Sequence, residues 1–415
     1  NLMVVNSMSY ATYDSYKDSG VDWLGKIPSD WDLLKVKNIF RLVMKFAPKN
    51  NDCELLSVYT DIGVKPRKEL EERGNRATTT DGYLIVEKGD IVVNKLLAWM
   101  GAIGLSDYDG VTSPAYDVLK PKMPIEGIFY HLLFRSPQCT SELKRHSRGI
   151  MDMRLRLYFD KFGDVVVPYP NIEVQKKIVS FLAEKTAQID QAIALKQQQI
   201  EKLNEYKQIV IQNAVTKGLN PNAPMKNSGV EWIGDIPEHW KVISLRYLFN
   251  FLNYRRIPIS AELRGNIQGI YPYYGASGII DYIDKYIFDE KLILIAEDGA
   301  NLLSKSTPLA FIAEGKYWVN NHAHILKPKH EGFEYWAELL SCCDYTKYIS
   351  GSAQPKLSRE NLGSVRLVLP YREEILEISK LINQIKPRYD DAISKHEAQI
   401  DRLKEYKNIL INQAV

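Results

Sequence analysis

The chain contains one motif twice, and this repeat constrains its fold more than any other feature. The segment Ser19-Gly-Val-Asp-Trp-Leu-Gly-Lys-Ile-Pro-Ser-Asp-Trp31 returns as Ser228-Gly-Val-Glu-Trp-Ile-Gly-Asp-Ile-Pro-Glu-His-Trp240, 209 residues later. We name these two segments the Trp motifs. Self-similarity over such a distance indicates that one structural unit is used more than once. We therefore expect two copies of one unit within the 415 residues.

A second pair of matching segments lies near the end of each copy. Residues 195–215 and 395–415 align at an offset of 200 and share Gln-Ile, Leu-x-Glu-Tyr-Lys and Ala-Val. Weaker echoes lie between the motifs, where Ala115, 118–121 and 126–127 resemble Ala323, 325–328 and 331–332. Copy one is nine residues longer from its Trp motif to the shared Glu-Tyr-Lys. This length difference is expected in loops of the globular part.

Composition indicates a globular protein of ordinary type. Hydrophobic residues make up 45% and charged residues 25%, and the length fits two or three domains. The longest aliphatic stretches, such as 292–296, are far shorter than the roughly 20 residues that cross a bilayer, so we expect no membrane span and a cytoplasmic protein. Four cysteines without Cys-x-x-Cys spacing are expected as reduced thiols. A net charge of +3 does not by itself identify a nucleic-acid binder.

Each copy changes from a part with many glycines and prolines to a long stretch that contains neither, apart from Pro387 in copy two. Short β-rich runs such as 83–86, 91–93 and 292–295 predict mixed α/β domains, that is, an α+β fold. The predicted boundaries are a first recognition-type domain at 1–170, a helix at 171–216, a linker at 217–227, a second domain at 228–371 and a helix at 372–415.

Apolar residues in each long stretch recur at helical spacing, which predicts one long helix per copy. A helix of some 43 residues would be ~65 Å long, and its apolar stripe needs a partner of similar length, for which the other helix is the natural candidate. Pro387 stands where copy one has Ala187 and predicts a kink or break, with 373–386 as a separate short helix. The predicted seam consists of Ile189, Ile193, Ile200, Leu203, Val210, Ile393, Ile400, Leu403 and Leu410.

The paired Trp motifs and the helices with Ile-x-x-Leu-x-Glu-Tyr-Lys, which Lys196 precedes by four positions in copy one, closely resemble the specificity subunits of type I restriction-modification systems. The resemblance covers almost the whole chain. It implies two target-recognition domains joined by an antiparallel coiled coil with an internal pseudo-two-fold. Each domain would read one part of a split sequence in double-stranded DNA.

The resemblance also implies partners and places the chemistry on them. Two methyltransferase subunits would bind S-adenosylmethionine and dock on the coil and its flanks, and restriction subunits would use ATP and Mg²⁺. The chain itself would be non-catalytic and hold no cofactor or metal. Consistent with this, the sequence contains no G-x-x-x-x-G-K-[ST] loop, G-x-G-x-x-G run or Pro-Pro pair. A stand-alone DNA methyltransferase and a coiled-coil scaffold without a DNA role are the alternatives.

Candidate DNA contacts are polar, basic or aromatic residues at strand ends of the variable parts. Arginine suits guanine or phosphate, asparagine and glutamine suit adenine, and lysine suits phosphate. The cations at 144, 145, 148, 154 and 156 form a basic cluster, for which a solvated loop is an equal alternative. The predicted contacts are Lys95, Trp99, Arg148, Arg154, Arg156, Tyr273, Tyr274, Ser277, Asn301, Lys305, Asn320, Asn321, His322, Gln354 and Lys356.

Two further patterns allow other interpretations. His322 and His324 lie on one face of a predicted strand and resemble metal ligands, but no third ligand has a clear spacing to them, so packing or DNA contact is favoured. Glu297-Asp298-Gly299 after a buried strand is interpreted as a turn, with recognition of the cytosine amino group as a second use. The tyrosines at 271, 273 and 274 fit a core as well as a loop tip.

Overall fold

The fold was examined in a computed structural model that describes residues 13–69, 80–151, 154–298, 301–304, 307–351 and 355–415. The chain divides into two compact units. Unit 1 contains residues 1–195 and 400–415, and unit 2 contains residues 196–399. Each long helix therefore begins in the unit of its own copy and contributes its last turns to the core of the other unit.

Unit 1 combines short antiparallel strands with helices. Its core contains aromatic residues of the second helix, with Phe129, Tyr130 and Phe134 fully or almost fully buried. The elements in chain order are β1 Tyr16–Asp18, β2 Lys26–Pro28, β3 Asp32–Lys35, α1 Val36–Ile39, β4 Phe40–Val43, β5 Leu56–Tyr59, β6 Gly63–Pro66, β7 Leu84–Val86, β8 Ile91–Asn94, β9 Ile103–Leu105, β10 Gly110–Thr112, β11 Tyr116–Pro121, α2 Gly127–Arg135, α3 Pro137–His146, α4 Phe159–Phe162, β12 Val166–Tyr169 and α5 Ile172–Lys217.

Unit 2 is built in the same manner around the fully buried Trp240 and Trp336. Its elements are β13 Met225–Asn227, β14 Asp235–Pro237, β15 Lys241–Ser244, α6 Leu245–Leu248, β16 Phe249–Phe251, α7 Ala261–Gly265, β17 Gln268–Gly275, β18 Gly278–Ile283, β19 Phe288–Asp289, β20 Leu292–Ala296, α8 Asn301–Ser304, β21 Ala310–Ala313, β22 Lys316–Val319, β23 Ala323–Pro328, α9 Phe333–Cys342, β24 Ile349–Ser350, β25 Lys356–Leu357, α10 Arg359–Ser364, β26 Arg366–Leu369 and α11 Arg372–Ala414.

The two units share one sheet topology. The strand order β4-β11-β8-β9 in unit 1 corresponds to β16-β23-β20-β21 in unit 2, and the pair β10-β7 corresponds to β22-β19. In both units a hairpin, β5-β6 or β17-β18, lies beside that pair through a parallel contact. The central strands β8 and β20 are almost wholly buried. The predicted repeat and the α+β fold are confirmed.

Each Trp motif supplies the loop and the second strand of a β-hairpin. In unit 1 the strands β1 and β2 pair, and in unit 2 the strands β13 and β14 pair in the same register. Gly20 and Gly25 have φ values of 68° and 61°, which other residues adopt only with strain, so the hairpin loop requires glycine there. Because β13 lies at the end of the predicted linker 217–227, those last linker residues belong to the second domain.

The helices α5 and α11 pack in opposite directions within each unit. In unit 1, Leu182 and Ile189 of α5 share a core cluster with Leu410, and Val415 lies near the beginning of α5. The ion pair Asp190–Lys407 measures 2.7 Å in unit 1. Its counterpart at the matching positions, Lys207–Asp390, measures 2.8 Å in unit 2. The antiparallel pairing of the helices is therefore confirmed in both copies.

Most of the predicted seam residues are buried or partly buried, but Val210 is not. Val210 is 37% exposed, because the buried face of α5 in unit 2 carries Ile211, Ala214 and Val215. A step of one residue turns the helix by about 100°, which moves Val210 off this face. The buried or partly buried seam residues are Ile189, Ile193, Ile200, Leu203, Ile393, Ile400, Leu403 and Leu410.

The predicted break at Pro387, with a separate short helix at 373–386, is wrong, because α11 runs without interruption from Arg372 to Ala414. A kink at Pro387 stays a prediction. Proline removes one backbone donor from a helix interior. Here the segment before it is anchored in the core of unit 2 by Ile375, Ile378 and Ile382, which are all almost fully buried. Packing of this kind supplies most of the stability of helices in proteins and offsets the missing hydrogen bond.

Candidate nucleic-acid interface

Helix α3 and the ribbon after it carry the basic cluster of unit 1. Ser136 caps the start of this helix, because its hydroxyl accepts a hydrogen bond from the Cys139 amide, and the helix ends with three basic residues. After the helix, Arg148 and Arg156 exchange two backbone hydrogen bonds of 2.9 Å. Residues paired in this way lie directly opposite each other, so their side chains leave the same face of the ribbon.

The predicted aromatic contact lies beside this cluster. The ammonium of Lys144 stands 4.9 Å from the ring centre of Trp99, in a cation–π contact. The Trp99 indole N–H donates to the Leu96 carbonyl at 3.0 Å, which fixes the ring. The amide of Leu157 donates to the Lys95 carbonyl at 2.8 Å and joins the two segments. The structure therefore brings together Lys95, Trp99, Arg148, Arg154 and Arg156.

Among the residues that the structure describes, the exposed arginines of this surface have few anionic neighbours. Arg148 and Arg156 are exposed, and the carboxylate of Asp160 lies 3.8 Å from the Arg148 guanidinium. Both partners of that ion pair are about 60% exposed, so it contributes little. Like charges placed directly opposite each other on a ribbon destabilise it. An anionic partner such as a phosphate would relieve this repulsion.

Lys95 differs from the arginines because its ammonium is used within unit 1. It donates to the Pro114 carbonyl at 2.7 Å and lies 3.4 Å from the carboxylate of Asp117. Burial raises the pKa of Asp117, while Lys95 acts to lower it. The lysine side chain is only 20% exposed. Its geometry fits an internal contact better than the predicted contact with a phosphate.

A half-buried pair on α2 holds the loops next to this surface. Arg135 donates to the carbonyls of Gly101 at 2.8 Å and Thr60 at 2.9 Å, and so joins two separate loops. One turn earlier, His131 Nδ1 accepts a hydrogen bond from the Leu105 amide at 3.2 Å. Burial, with a contribution from Arg135, lowers the pKa of His131 to about 4. The histidine is therefore neutral at physiological pH.

The corresponding surface of unit 2 begins at the carboxyl end of β20. His322 Nδ1 lies 2.9 Å from a carboxylate oxygen of Asp298. The ammonium of Lys356 lies 3.5 Å from Glu297, and the guanidinium of Arg256 donates to the other oxygen of that carboxylate. Burial opposes the charge on Glu297, but Arg256, His324 and Lys356 outweigh it and lower its pKa. This surface therefore mixes donors and acceptors.

His324 is a structural residue of this site. It is almost fully buried, its Nε2 donates to the Leu357 carbonyl at 2.7 Å, and its Nδ1 accepts from the Asn253 amide group at 2.8 Å. Burial lowers its pKa, so the neutral ring is favoured. Because both ring nitrogens are occupied, the favoured interpretation as a packing residue fits His324. In the described ranges, no group of three or more His, Cys, Asp or Glu residues has the arrangement of a metal site.

The other predicted residues of unit 2 differ in exposure and in their contacts. Ser277 and Asn321 are exposed, and Asn301 bonds to both backbone groups of Thr307, which closes a loop beside the site. Tyr274 is half-buried against Tyr317, with ring centres 5.5 Å apart. Lys305 and Gln354 lie outside the described residues.

Two predicted contacts are buried and are removed from the candidate surface. Tyr273 is fully buried, and its hydroxyl accepts a hydrogen bond from the Ile259 amide at 3.0 Å. Strand side chains alternate between two faces, and position 273 falls on the core face of β17. Asn320 is 6% exposed and accepts a hydrogen bond from the His322 amide at 2.8 Å. Asn320 therefore shapes the turn rather than offering its amide to a ligand.

Sequence reasoning missed Arg135 and Arg256. The carbonyls that Arg135 binds lie between 32 and 76 residues away along the chain, and Glu297 lies 41 residues from Arg256. No short motif could reveal such contacts. Their signal is three-dimensional, because each guanidinium is partly buried and bonds to groups that are distant along the chain.

A model of the type I restriction modification DNA specificity domain matches the chain twice, at residues 28–205 and 237–405. A Haemophilus influenzae protein, provisionally named a type I restriction enzyme specificity subunit, is 31% identical over 148 residues, which cover 35% of this chain and 37% of the relative. The type I restriction enzyme MjaVIII specificity subunit of Methanocaldococcus jannaschii is 25% identical over 229 residues, which cover 53% and 49%. The chain therefore spans less than half the length of these two relatives.

Longer matches and solved structures give the same fold. The type I restriction enzyme MjaIX specificity subunit of Methanocaldococcus jannaschii is 22% identical over 429 residues, covering 94% of each chain. A chain from work on complex assembly and conformational transition of a type I R-M system aligns with a TM-score of 0.66 at 14% identity, covering 94% of this chain and 98% of that one. The HsdS subunit of Thermoanaerobacter tengcongensis aligns with a TM-score of 0.50 at 16% identity, covering 94% and 97%. Two matched copies that occupy most of its length establish that this chain belongs to the family of type I restriction modification DNA specificity domains.

Proposed function

We propose that the chain is the DNA sequence-specificity subunit of a type I restriction-modification complex and that each unit reads one half of a split DNA target. The observation that carries this proposal is the same topology, built twice, with different side chains at the ends of corresponding strands. Identical scaffolds with different exposed groups suit the recognition of two different short sequences. The two matched specificity domains support the same conclusion.

The two surfaces offer different chemistry to DNA. Unit 1 presents guanidinium groups, which bind phosphate or the acceptor edge of guanine in the major groove. Unit 2 presents amide, imidazole and hydroxyl groups, which suit bases with mixed donor and acceptor edges. We assign DNA contact to Trp99, Arg148, Arg154, Arg156, Ser277, Asn301, Asn321, His322 and Lys356.

Methyltransferase subunits are the proposed partners of the long helices. Tyr206 and Ile209 on α5 are 58% and 44% exposed, and the matching Tyr406 and Ile409 on α11 are 42% and 43% exposed. Exposed apolar groups at equivalent positions of both copies suit two identical partner subunits. We further propose that catalysis belongs to these partners and to restriction subunits in the cytoplasm, with S-adenosylmethionine, ATP and Mg²⁺ bound there. Among the described residues, no helix is long and apolar enough to cross a membrane.

Selection from random DNA tests this proposal. The chain is co-expressed with its methyltransferase subunit, and the complex is mixed with duplexes that carry two randomised segments. A specificity subunit enriches two fixed sequences at a fixed separation. Binding without enrichment would favour the scaffold alternative. Binding of S-adenosylmethionine by the purified chain alone would favour the methyltransferase alternative.

A further inference from the structure

The same backbone position follows the central strand of each unit. In unit 1 the Lys95 amide donates to the Ala115 carbonyl at 3.2 Å, and the Lys95 carbonyl accepts from Leu157 at 2.8 Å. In unit 2 the Glu297 amide donates to the His322 backbone carbonyl at 2.9 Å, and the Glu297 carbonyl accepts from the Leu357 amide at 2.8 Å. These matching bonds make Lys95 and Glu297 equivalent positions.

The side chains at this position carry opposite charges. Lys95 lies 3.4 Å from Asp117, which follows Ala115 by two residues. Glu297 lies 3.7 Å from Nδ1 of His324, which follows His322 by two residues. Position 95 or 297 thus faces the same cross-strand position in both units, which is an aspartate in unit 1 and a histidine in unit 2.

Although the charges at positions 95 and 297 are opposite, a cationic side chain donates to backbone carbonyls of the same turn in both units. In unit 1 the ammonium of Lys95 donates directly to the carbonyl of Pro114. In unit 2 Arg256 donates to the carbonyls of Asn321 at 3.3 Å and Ala323 at 2.8 Å. Asn321 corresponds to Pro114, because each directly precedes the residue whose carbonyl accepts from the amide at position 95 or 297, namely Ala115 or His322. Glu297 holds Arg256 in place through its carboxylate.

We propose that Lys95 and the Glu297–Arg256 pair are equivalent positioning residues, which fix the turns at Pro114 and Asn321 so that each unit presents its recognition surface in one conformation. This inference rests on the proposed function, because the surfaces are those assigned to DNA. The side chains of Lys95, Arg256 and Glu297 are 20%, 17% and 13% exposed, which suits internal supports better than direct contacts. Each turn adjoins groups assigned to DNA contact in its own unit.

The test uses the complex of the full chain with its methyltransferase subunit and the DNA pool with two randomised segments. Lys95→Met removes the donor to Pro114, and we expect about tenfold weaker binding and a broadened base preference at the first half-site only. Arg256→Met is expected to do the same at the second half-site only. Lys95→Arg keeps a donor and should retain the base preference. Lys122→Met is the matched control, since Lys122 also donates to a backbone carbonyl, that of Lys37 at 3.1 Å, beyond the other end of β11.

The possible outcomes are distinguishable. If the unaltered complex enriches no split sequence, the proposed function fails and the variants are not interpreted. If it does enrich one, unchanged preferences in both variants, or changes at both half-sites from either variant, would overturn the positioning role. If Lys95→Met fails to fold, Glu297→Gln serves instead: it removes the carboxylate that holds Arg256, so the bonds of Arg256 to the turn should loosen and the base preference at the second half-site should broaden. A second half-site as sharp as that of the unaltered complex would overturn the inference.

Discussion

Replacement of Arg148, Arg154 and Arg156 by alanine tests the basic surface of unit 1 quantitatively. Each phosphate contact contributes about 0.9 to the slope of log affinity against log salt, so three lost contacts flatten the slope by about 2.7. Between 50 and 200 mM salt the variant should therefore lose about 40-fold less affinity than the unaltered complex. Its affinity at low salt should be much weaker, because the lost contacts act most strongly there.

Protein stability separates this mechanism from a structural one. Arg148 and Arg156 lie directly opposite each other, and among the described residues the carboxylate of Asp160 is a weak exposed partner of Arg148 at 3.8 Å. Removing two like charges from such a ribbon does not destabilise the free protein and relieves repulsion. The thermal midpoint of the variant should therefore be unchanged or slightly higher, although DNA binding is weaker.

Fluorescence anisotropy with the selected duplex, measured from 50 to 200 mM salt, gives the affinity and the slope. The control variant replaces Lys17, Lys26 and Lys122 by alanine, which removes the same charge from the first hairpin and the far end of β11. It should change the slope by much less than 2.7, the figure expected for three direct contacts. Equal slopes for the two variants would show that only net charge matters, and an unchanged slope in the arginine variant would show that these arginines do not contact phosphate.

Two further predictions concern the scaffold beneath the surfaces. Gly332→Ala should destabilise unit 2 by about 3 kcal/mol in thermal unfolding, because Gly332 has a φ of 88° and an added Cβ would lie 2.4 Å from the Ile375 side chain. In the matching variant Gly127→Ala, the added Cβ meets only the end of the Leu105 side chain, so the loss of stability should be smaller. An equal loss in both variants would contradict this reasoning. The pKa of His131 is lowered to about 4, so the unfolded chain binds a proton more readily and stability should fall as pH drops from about 6.5 toward 4. His131→Gln should flatten this part of a denaturation profile, and an unchanged profile would show that His131 does not carry the effect.

The sequence predicted the elements whose signal is periodic or repeated. The helices were expected at 171–216 and 372–415, and the structure has Ile172–Lys217 and Arg372–Ala414. Apolar residues at helical spacing over some 40 positions are a strong signal for such a helix. The prediction that Val210 lies in the seam was wrong, because the spacing alone does not decide between neighbouring residues for the buried face. The packing of Ile211 shows which residue is buried.

The candidate surfaces were predictable only in part. Residue type and position at strand ends found the arginines and His322, but exposure depends on strand register, which buries Tyr273 and leaves Ser277 outside. Arg256 could not be found from spacing, since its carboxylate partner is 41 residues away. Long-range contacts of this kind are decided by topology rather than by local sequence.

The reversed charges at Lys95 and Glu297 explain how one scaffold can carry two different surfaces. The bonds that define the end of each central strand are backbone bonds, so they place no demand on the side chain at this position. What the site does require is a cation on the turn carbonyl and a neutralising partner for every buried charge. Lys95 with Asp117 meets both requirements in unit 1, and Arg256 with Glu297 meets them in unit 2. The charge can therefore change sign between copies while the turn stays fixed, which leaves the neighbouring exposed residues free to differ.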